Sequence, residues 1–358
     1  MKICCVIPSL ASGGMERVMA TLVNGFVNYD HEEIHLILYG SEREVFYEVD
    51  PRVIVHKPQF AFNNKYRRYY TLKTFLYLRK EIKKLRPNSV LSFGCFWNSF
   101  VLLATFGLGI PVYISDRSSP KKKYSKTQAF LRRTLYPKAT GIIAQTIKAK
   151  EIYDTYYHHD NITVIGNPIR QILCDDNPSR QNNIVSVGRL IDTKNYDHLI
   201  KLFYELNRPD WNLIIVGGDA QKQGQMMKLK EQINSYGNPS NILLVGTQKD
   251  VPAFLFKSKI FAFTSSSEGF PNVIGEAMSA GLPVVSYDCV AGPSDLVENG
   301  KTGYLVDNFD DESFKDKLRL LIDNEEMRIA MGEAAKRKIK EFDSDTITKK
   351  FYNFITQK

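Results

Sequence analysis

Short, almost uniformly apolar runs alternate with amphipathic stretches along this chain, and the alternation occurs twice over. In the first half, Lys2–Ile7, Ile34–Leu38, Val53–His56, Ser89–Phe93, Val112–Ser115, Gly141–Ala144 and Ile162–Ile165 read as strands, with helical stretches such as Glu16–Val27 between them. In the second half, Ile184–Val187, Leu213–Val216, Ile242–Val245, Ile260–Thr264 and Pro283–Tyr287 repeat the pattern around helices at Tyr196–Leu206, Met226–Tyr236 and Val251–Phe256. Runs this apolar are buried on both faces, and helices between successive strands demand parallel pairing. The prediction is an α/β protein with two Rossmann-like, doubly wound parallel sheets. A polar, proline-broken stretch at 171–182 reads as the linker, which gives domains at 1–172 and 183–342.

Length and composition agree with that division. The 358 residues, 43% apolar and 24% charged, suit two folded domains of ordinary size. No apolar stretch reaches the roughly 20 residues needed to span a bilayer; the longest, Ser99–Val112, is interrupted by Gly107, Gly109 and Pro111. Met1–Gly14 lacks the charge pattern and cleavage site of a signal peptide and reads as the first strand and its exit. The five cysteines, Cys4, Cys5, Cys95, Cys174 and Cys289, show neither CxxC nor paired His/Cys spacing. Reduced thiols and no metal site are expected.

Parallel sheets bind ligands beyond the carboxyl ends of their strands, and the motifs of this chain fall there. Ser12-Gly13-Gly14 follows the first strand, Gly188-Arg189 with Lys194 follows Val187, and Gly217-Gly218-Asp219 follows Val216. Gly13 and Gly14 would let the backbone approach a ligand and allow torsions closed to other residues, or simply form a tight turn before a helix. A dinucleotide fingerprint would need G-x-G-x-x-G; Gly13-Gly14-Met15-Glu16-Arg17-Val18 does not supply it, which excludes a dehydrogenase. Arg189 and Lys194 place two cations where a diphosphate can be neutralised, or simply where rim charges meet solvent. After Thr264 come Glu268-Gly269-Phe270-Pro271-Asn272-Val273-Ile274-Gly275-Glu276, with Pro271 expected in a first helical turn, Glu268 before the helix and Glu276 inside it. A helix start suits a phosphate, and the two carboxylates suit sugar hydroxyls.

Charge is distributed unequally. Residues 1–174 hold 25 basic against 13 acidic side chains, whereas the remainder hold 23 against 26. Lys57–Arg86 has ten basic residues against the single Glu81, and Arg117–Lys138 has eight with no acid. Within Tyr66–Leu85 the positions Tyr69, Leu72, Phe75, Leu76, Leu78, Ile82 and Leu85 recur at helical spacing. Such a helix either packs its apolar stripe on the sheet with a solvated basic face or lies on an anionic membrane. No nucleic-acid-binding module accompanies the charge, so nucleic acid is not an expected partner.

Gly188-Arg189-Leu190 with Lys194-Asn195, then Glu268 to Val273 running into Glu276-Ala277-Met278-Ser279-Ala280-Gly281-Leu282-Pro283-Val284-Val285, closely resembles the family 4 retaining glycosyltransferases. The opening Pro8 to Arg17 resembles that family's acceptor-side loop, and Asp288 to Asp295 followed by Gly303-Tyr304-Leu305-Val306 its closing strand. The resemblance implies a GT-B fold, two Rossmann-like domains facing a cleft, with the last helix, about 343–358, crossing back to the first domain. It implies a metal-independent enzyme without cofactors. Arg189 and Lys194 would hold the donor diphosphate, Glu276 the ribose, Glu268 a donor-sugar hydroxyl, and the amides of Phe270, Pro271, Asn272 and Val273 the sugar or distal phosphate, with Gly13 and Gly14 beside that phosphate. Catalytic weight would fall on Glu268, Arg189 and Lys194.

The same resemblance implies transfer of a hexose or N-acetylhexosamine, N-acetylgalactosamine above others, from a UDP-sugar to a polyprenyl-diphosphate-linked glycan in bacterial surface polysaccharide or O-antigen synthesis. The protein would work in the cytoplasm, peripheral to the inner face of the cell membrane. Lys121, Lys122 and Lys123, with Asp116 and Arg117, would meet the acceptor; relatives often carry Glu-His-Ser where this chain has Asp116-Arg117-Ser118. A non-catalytic nucleotide-sugar-binding protein, or a sugar-nucleotide hydrolase or epimerase of the same fold, is the alternative.

Overall fold

A computed structural model describes residues 1–40, 45–172, 179–219 and 224–357. The part of the expected linker at 173–178, with Cys174, lies outside the described residues. The chain divides into two compact units, Met1–Pro168 with Ser344–Lys358, and Ile169–Asp343. The boundary therefore falls at Pro168, earlier than expected, because Ile169 and Ile172 are buried in the second unit's core beside Ile274 and Ala277.

The first unit carries β1 (Lys2–Ile7), β2 (Glu33–Leu38), β3 (Ile54–His56), β4 (Ser89–Phe93), β5 (Val112–Ser115), β6 (Gly141–Ala144) and β7 (Ile162–Val164). They form one parallel sheet in the order β3-β2-β1-β4-β5-β6-β7. The second unit carries β8 (Asn183–Val187), β9 (Asn212–Val216), β10 (Ile242–Gly246), β11 (Ile260–Phe263), β12 (Val284–Tyr287) and β13 (Gly303–Val306), in the order β10-β9-β8-β11-β12-β13, again parallel. Burial on both faces explains the uniform apolarity read from the sequence: all of Ile3 to Ile7 and nearly all of β8 and β11 are shielded from solvent.

Each sheet contains one reversal of winding. The chain runs outward from β1 to β2 and β3, then returns to the other side of β1 as β4; β8, β9, β10 and β11 repeat the move. Adjacent crossovers part company between β1 and β4 and between β8 and β11, which opens a gap at the carboxyl ends of those strands.

Two expectations need correction. Pro271 precedes the helix Asn272–Ser279 and does not lie in its first turn, and helices Asp311–Asp323 and Glu325–Lys338 were not foreseen. Both carry readable start signals: Asp310 accepts from the Ser313 amide and Asn324 from the Met327 amide. The basic helix packs one side and leaves another open. In helix Arg67–Leu85, Thr74, Leu78 and Ile82 are buried, while Tyr69, Leu72 and Leu76 remain exposed on another side.

The last helix, Ser344–Thr356, completes the first unit. Phe351 is fully buried beside Phe93, and Tyr352 stacks on Tyr29 at 4.1 Å while donating to Glu32. Phe351→Ala should cost about 3–5 kcal/mol. An earlier denaturant midpoint for the first unit checks this, and an unmoved midpoint would show that the helix adds nothing to that core.

Candidate functional site

At the gap between β8 and β11, two loops are stitched together by hydrogen bonds. Asn195, in a left-handed conformation, donates from its side-chain amide to the Thr264 carbonyl at 2.8 Å, and Thr264 Oγ1 donates back to the Lys194 carbonyl at 2.9 Å. Ser265 Oγ and the Ser266 amide both donate to the Thr193 carbonyl, at 3.0 and 2.9 Å. This stitching brings Lys194 Nζ to 2.5 Å from Glu268 Oε1, with the two side chains 14% and 13% exposed. The ammonium also lies 4.9 Å from the Phe263 ring centre. Gly217 is required here, because a Cβ on it would sit 1.8 Å from the Gly188 carbonyl oxygen.

Lys194 and Glu268 therefore meet, and the other predicted residues of this unit have different surroundings. Arg189 is exposed and has no ion-pair partner among the described residues, so its guanidinium is available to a ligand. Glu276 is buried inside helix Asn272–Ser279. Of the four helix-start positions, Pro271 has no amide hydrogen, and the Asn272 amide is taken by the Phe270 carbonyl at 3.0 Å. Among the described residues, the amides of Phe270 and Val273 meet no backbone acceptor outside the helices and strands.

In the first unit, the loop after β1 departs from expectation. Gly13 is extended, at φ −174°, a conformation open to any residue, so the torsional argument for it fails. Its amide and carbonyl instead exchange hydrogen bonds with the Tyr47 hydroxyl, at 3.1 and 2.8 Å. A Cβ on Gly13 would meet the Glu16 carboxylate, whose pKa burial raises. Gly14 opens the helix Gly14–Phe26.

Asp116 is a second correction. It is 3% exposed, and every polar direction of its carboxylate is occupied: Arg132 Nη2 at 2.5 Å, the Tyr136 hydroxyl at 2.7 Å, Asn98 Nδ2 at 3.0 Å and the Tyr153 hydroxyl at 3.4 Å. Arg132 is equally enclosed, donating to the Cys95 carbonyl and stacking over the Tyr124 and Tyr136 rings. Burial, then the Asp116 charge, pushes the Tyr136 hydroxyl well above its ordinary pKa and keeps it a donor. Asp116 thus fastens the end of β5 to the helices around it and does not face a ligand.

Arg117, one residue on, has no ion-pair partner among the described residues. It lies 4.4 Å over the Phe93 ring, donates to Ser115 Oγ at 3.2 Å and Asn167 Oδ1 at 2.6 Å, and leaves Nε buried without an acceptor. Burial lowers its pKa to about 9, so it remains a cation at neutral pH. Lys121, Lys122 and Lys123 follow on the same loop; Lys121 and Lys123 are exposed, as is Lys122, whose ammonium covers Phe96 at 4.4 Å.

The described cysteines are shielded from solvent. Cys4, Cys5, Cys95 and Cys289 are free and buried, and desolvation pushes the Cys5 and Cys289 thiols up to about 12. Among the described residues, no cluster of three or more His, Cys, Asp or Glu side chains is arranged to hold a metal ion, and no helix is long and apolar enough to cross a membrane.

Comparison with known proteins converges on one family. Residues 12–170 match Glycosyltransferase Family 4, and residues 175–338 match Glycosyl transferases group 1. Over 100% of its length and 99% of the relative's, the chain is 27% identical to the GalNAc-alpha-(1->4)-GalNAc-alpha-(1->3)-diNAcBac-PP-undecaprenol alpha-1,4-N-acetyl-D-galactosaminyltransferase of Campylobacter jejuni. It is 27% identical to the amylovoran biosynthesis glycosyltransferase AmsD of Erwinia amylovora, covering 96% of each chain. Among solved structures, the apo lipopolysaccharide outer core galactosyltransferase WaaB superposes with a TM-score of 0.80 at 21% identity, and Anabaena HepE in complex with UDP with 0.82 at 18%, each covering 99% of both chains. With two parallel-sheet units, motifs at their winding reversals and a family match on each half, the chain belongs to the family 4 glycosyltransferases of the GT-B fold.

Proposed function

We propose that this glycosyltransferase moves an N-acetylhexosamine, N-acetylgalactosamine by preference, from a UDP-sugar to a polyprenyl-diphosphate-linked saccharide, with retention of configuration and without a metal ion. The observation that carries the reading is the Lys194–Glu268 pair held at the β8/β11 gap, with Arg189 exposed on the same loop as Lys194. The similarity to transferases named for N-acetylgalactosamine and undecaprenyl-diphosphate acceptors supports the donor sugar and acceptor class, and the UDP-bound HepE structure supports the nucleotide.

Chemistry follows from charge. Breaking the bond between the anomeric carbon and the diphosphate leaves negative charge on oxygen and positive charge on the ring. Arg189, Lys194 and the amides of Phe270 and Val273 stabilise the departing diphosphate electrostatically. Lys194 in turn fixes Glu268, which holds a donor-sugar hydroxyl, and Glu276 takes the ribose. The acceptor oxygen bonds to the anomeric carbon on the face the phosphate leaves, and the acceptor proton passes to the departing phosphate oxygen, so no protein nucleophile is needed. Arg117, a cation lacking a carboxylate partner, and Lys121 to Lys123 suit the acceptor's diphosphate.

The exposed Tyr69, Leu72 and Leu76 on the basic helix Arg67–Leu85 fit peripheral docking on an anionic membrane, where such an acceptor resides.

A donor panel with a short polyprenyl-diphosphate glycan should release UDP only when acceptor is present, give an α-linked product and proceed unchanged in EDTA; acceptor-independent UDP release would favour a hydrolase. Glu268→Gln should lower kcat/KM by about 100-fold or more while barely moving the melting temperature. Asp116→Asn should do the reverse, costing about 3–5 kcal/mol in denaturant unfolding with little change in acceptor KM for the folded fraction. Binding to anionic vesicles should weaken as salt rises and weaken further in Leu72→Glu; salt-independent sedimentation would rule out electrostatic docking.

A further inference from the structure

The first sheet has its own winding reversal, between β1 and β4, and the chain places two exposed aromatic rings there. Gly94 leaves β4 at φ +106°, and its carbonyl accepts from the amides of both Trp97 and Asn98 at 2.9 Å, closing a turn over Cys95–Trp97 before helix Asn98–Thr105. A Cβ on Gly94 would lie 3.1 Å from Trp97 Cδ1 and 3.3 Å from Met15 Sδ. The indole and Met15, near the start of the helix that follows β1, therefore both border Gly94 at the gap. A side chain at Gly94 would press on it, and the left-handed torsion already favours glycine.

Trp97 is 39% exposed and Phe96 44%. The chain's other tryptophan, Trp211, is 2% exposed, within the second unit's core. Neither rim ring is loose. Trp97 meets the buried Tyr39 edge-on at 5.7 Å, and Phe96 is held edge-on to Tyr124 at 5.9 Å with Lys122 over it. Adjacent large aromatics fixed in place yet open to water at a strand-end gap are a ligand surface more than a packing surface. Their chemistry is that of a flat π face, which accepts the apolar C–H face of a pyranose ring, while Lys121 to Lys123 stand ready for phosphate on the same molecule.

We propose that Trp97, supported by Phe96, is a stacking subsite for a pyranose ring of the acceptor saccharide; this deepens the transferase reading above and rests on it. Trp97 binds the acceptor by contact with its sugar and takes no part in bond breaking.

Two measurements test this on the full chain. In steady-state transfer, Trp97→Ala should raise acceptor KM about tenfold with kcat and donor KM within about twofold, and Trp97→Phe should restore most of the loss. The difference in fluorescence between the unaltered chain and Trp97→Phe isolates the Trp97 signal. Titrating it with a soluble N-acetylgalactosamine disaccharide, free of lipid and phosphate, should shift or quench that signal at unchanged UDP affinity. An unaltered acceptor KM in Trp97→Ala, a Trp97 signal blind to the disaccharide, or a signal that answers only anionic vesicles overturns the subsite while the transferase reading stands. Failure of the unaltered chain to transfer sugar overturns that reading instead, and the fluorescence titration still decides whether a saccharide occupies Trp97.

Discussion

Burial of the parallel strands on both faces is the constraint from which the rest follows. A strand covered above and below by helices has no free face to offer, so ligand chemistry is pushed to the loops at its carboxyl end. Among those loops, only the pair flanking a winding reversal is not roofed by a shared crossover. In the second unit that pair is joined by Asn195, Thr264, Ser265 and Ser266 through backbone carbonyls, so the distance from Lys194 to Glu268 is set by main-chain bonding and not by the two long side chains themselves. A charge pair held by its scaffold can accept a ligand without first being ordered, which reduces the entropy lost on binding.

The charged residues at the strand ends separate by whether their charge is already answered. Asp116 and Arg132 answer each other and are closed in by tyrosines, and their removal from water is compensated by a full set of hydrogen bonds. Arg117 and Arg189 have no ion-pair partner among the described residues, one half-buried on Phe93 and one exposed. An unanswered cation at a strand end is an anion site in waiting, and a substrate that carries diphosphate on both donor and acceptor would use two of them.

Much of this was legible in the chain. The apolar runs located the strands to within a residue or two because two-sided burial leaves an unambiguous pattern, and Gly188-Arg189 with Lys194 and Glu268 fell at the predicted strand ends. The misreadings of Asp116 and Gly13 share one cause, which is that they depended on partners distant in sequence. Asp116 followed by Arg117 looks like a site pair; only the fold reveals that Arg132, Tyr136 and Tyr153 have closed on the carboxylate. Gly13 looked like a torsional glycine, and its real neighbour is the hydroxyl of Tyr47. Phe96 and Trp97 were not singled out, since aromatics before a helix read as core until their exposure is known. The two unforeseen helices are a different case, for Asp310 and Asn324 announce them locally.

The two winding reversals share a topology and differ in chemistry. The β8/β11 gap presents a lysine, a carboxylate and, on the same loop as the lysine, an exposed arginine, groups that recognise phosphate and hydroxyl by charge and hydrogen bond. The β1/β4 gap presents indole and phenyl faces with lysines on a neighbouring loop, groups that recognise a sugar ring by its apolar face. Duplicated sheets dictate where each unit can bind but say nothing about what; the side chains at each gap decide that. A nucleotide-sugar, whose charge lies in its diphosphate, matches the first set, and a saccharide, whose recognisable surface is its ring, matches the second. A protein with two charged gaps would suit two nucleotides, and one with two aromatic gaps two sugars. One gap of each kind is what transfer of a sugar from a nucleotide to a glycan requires.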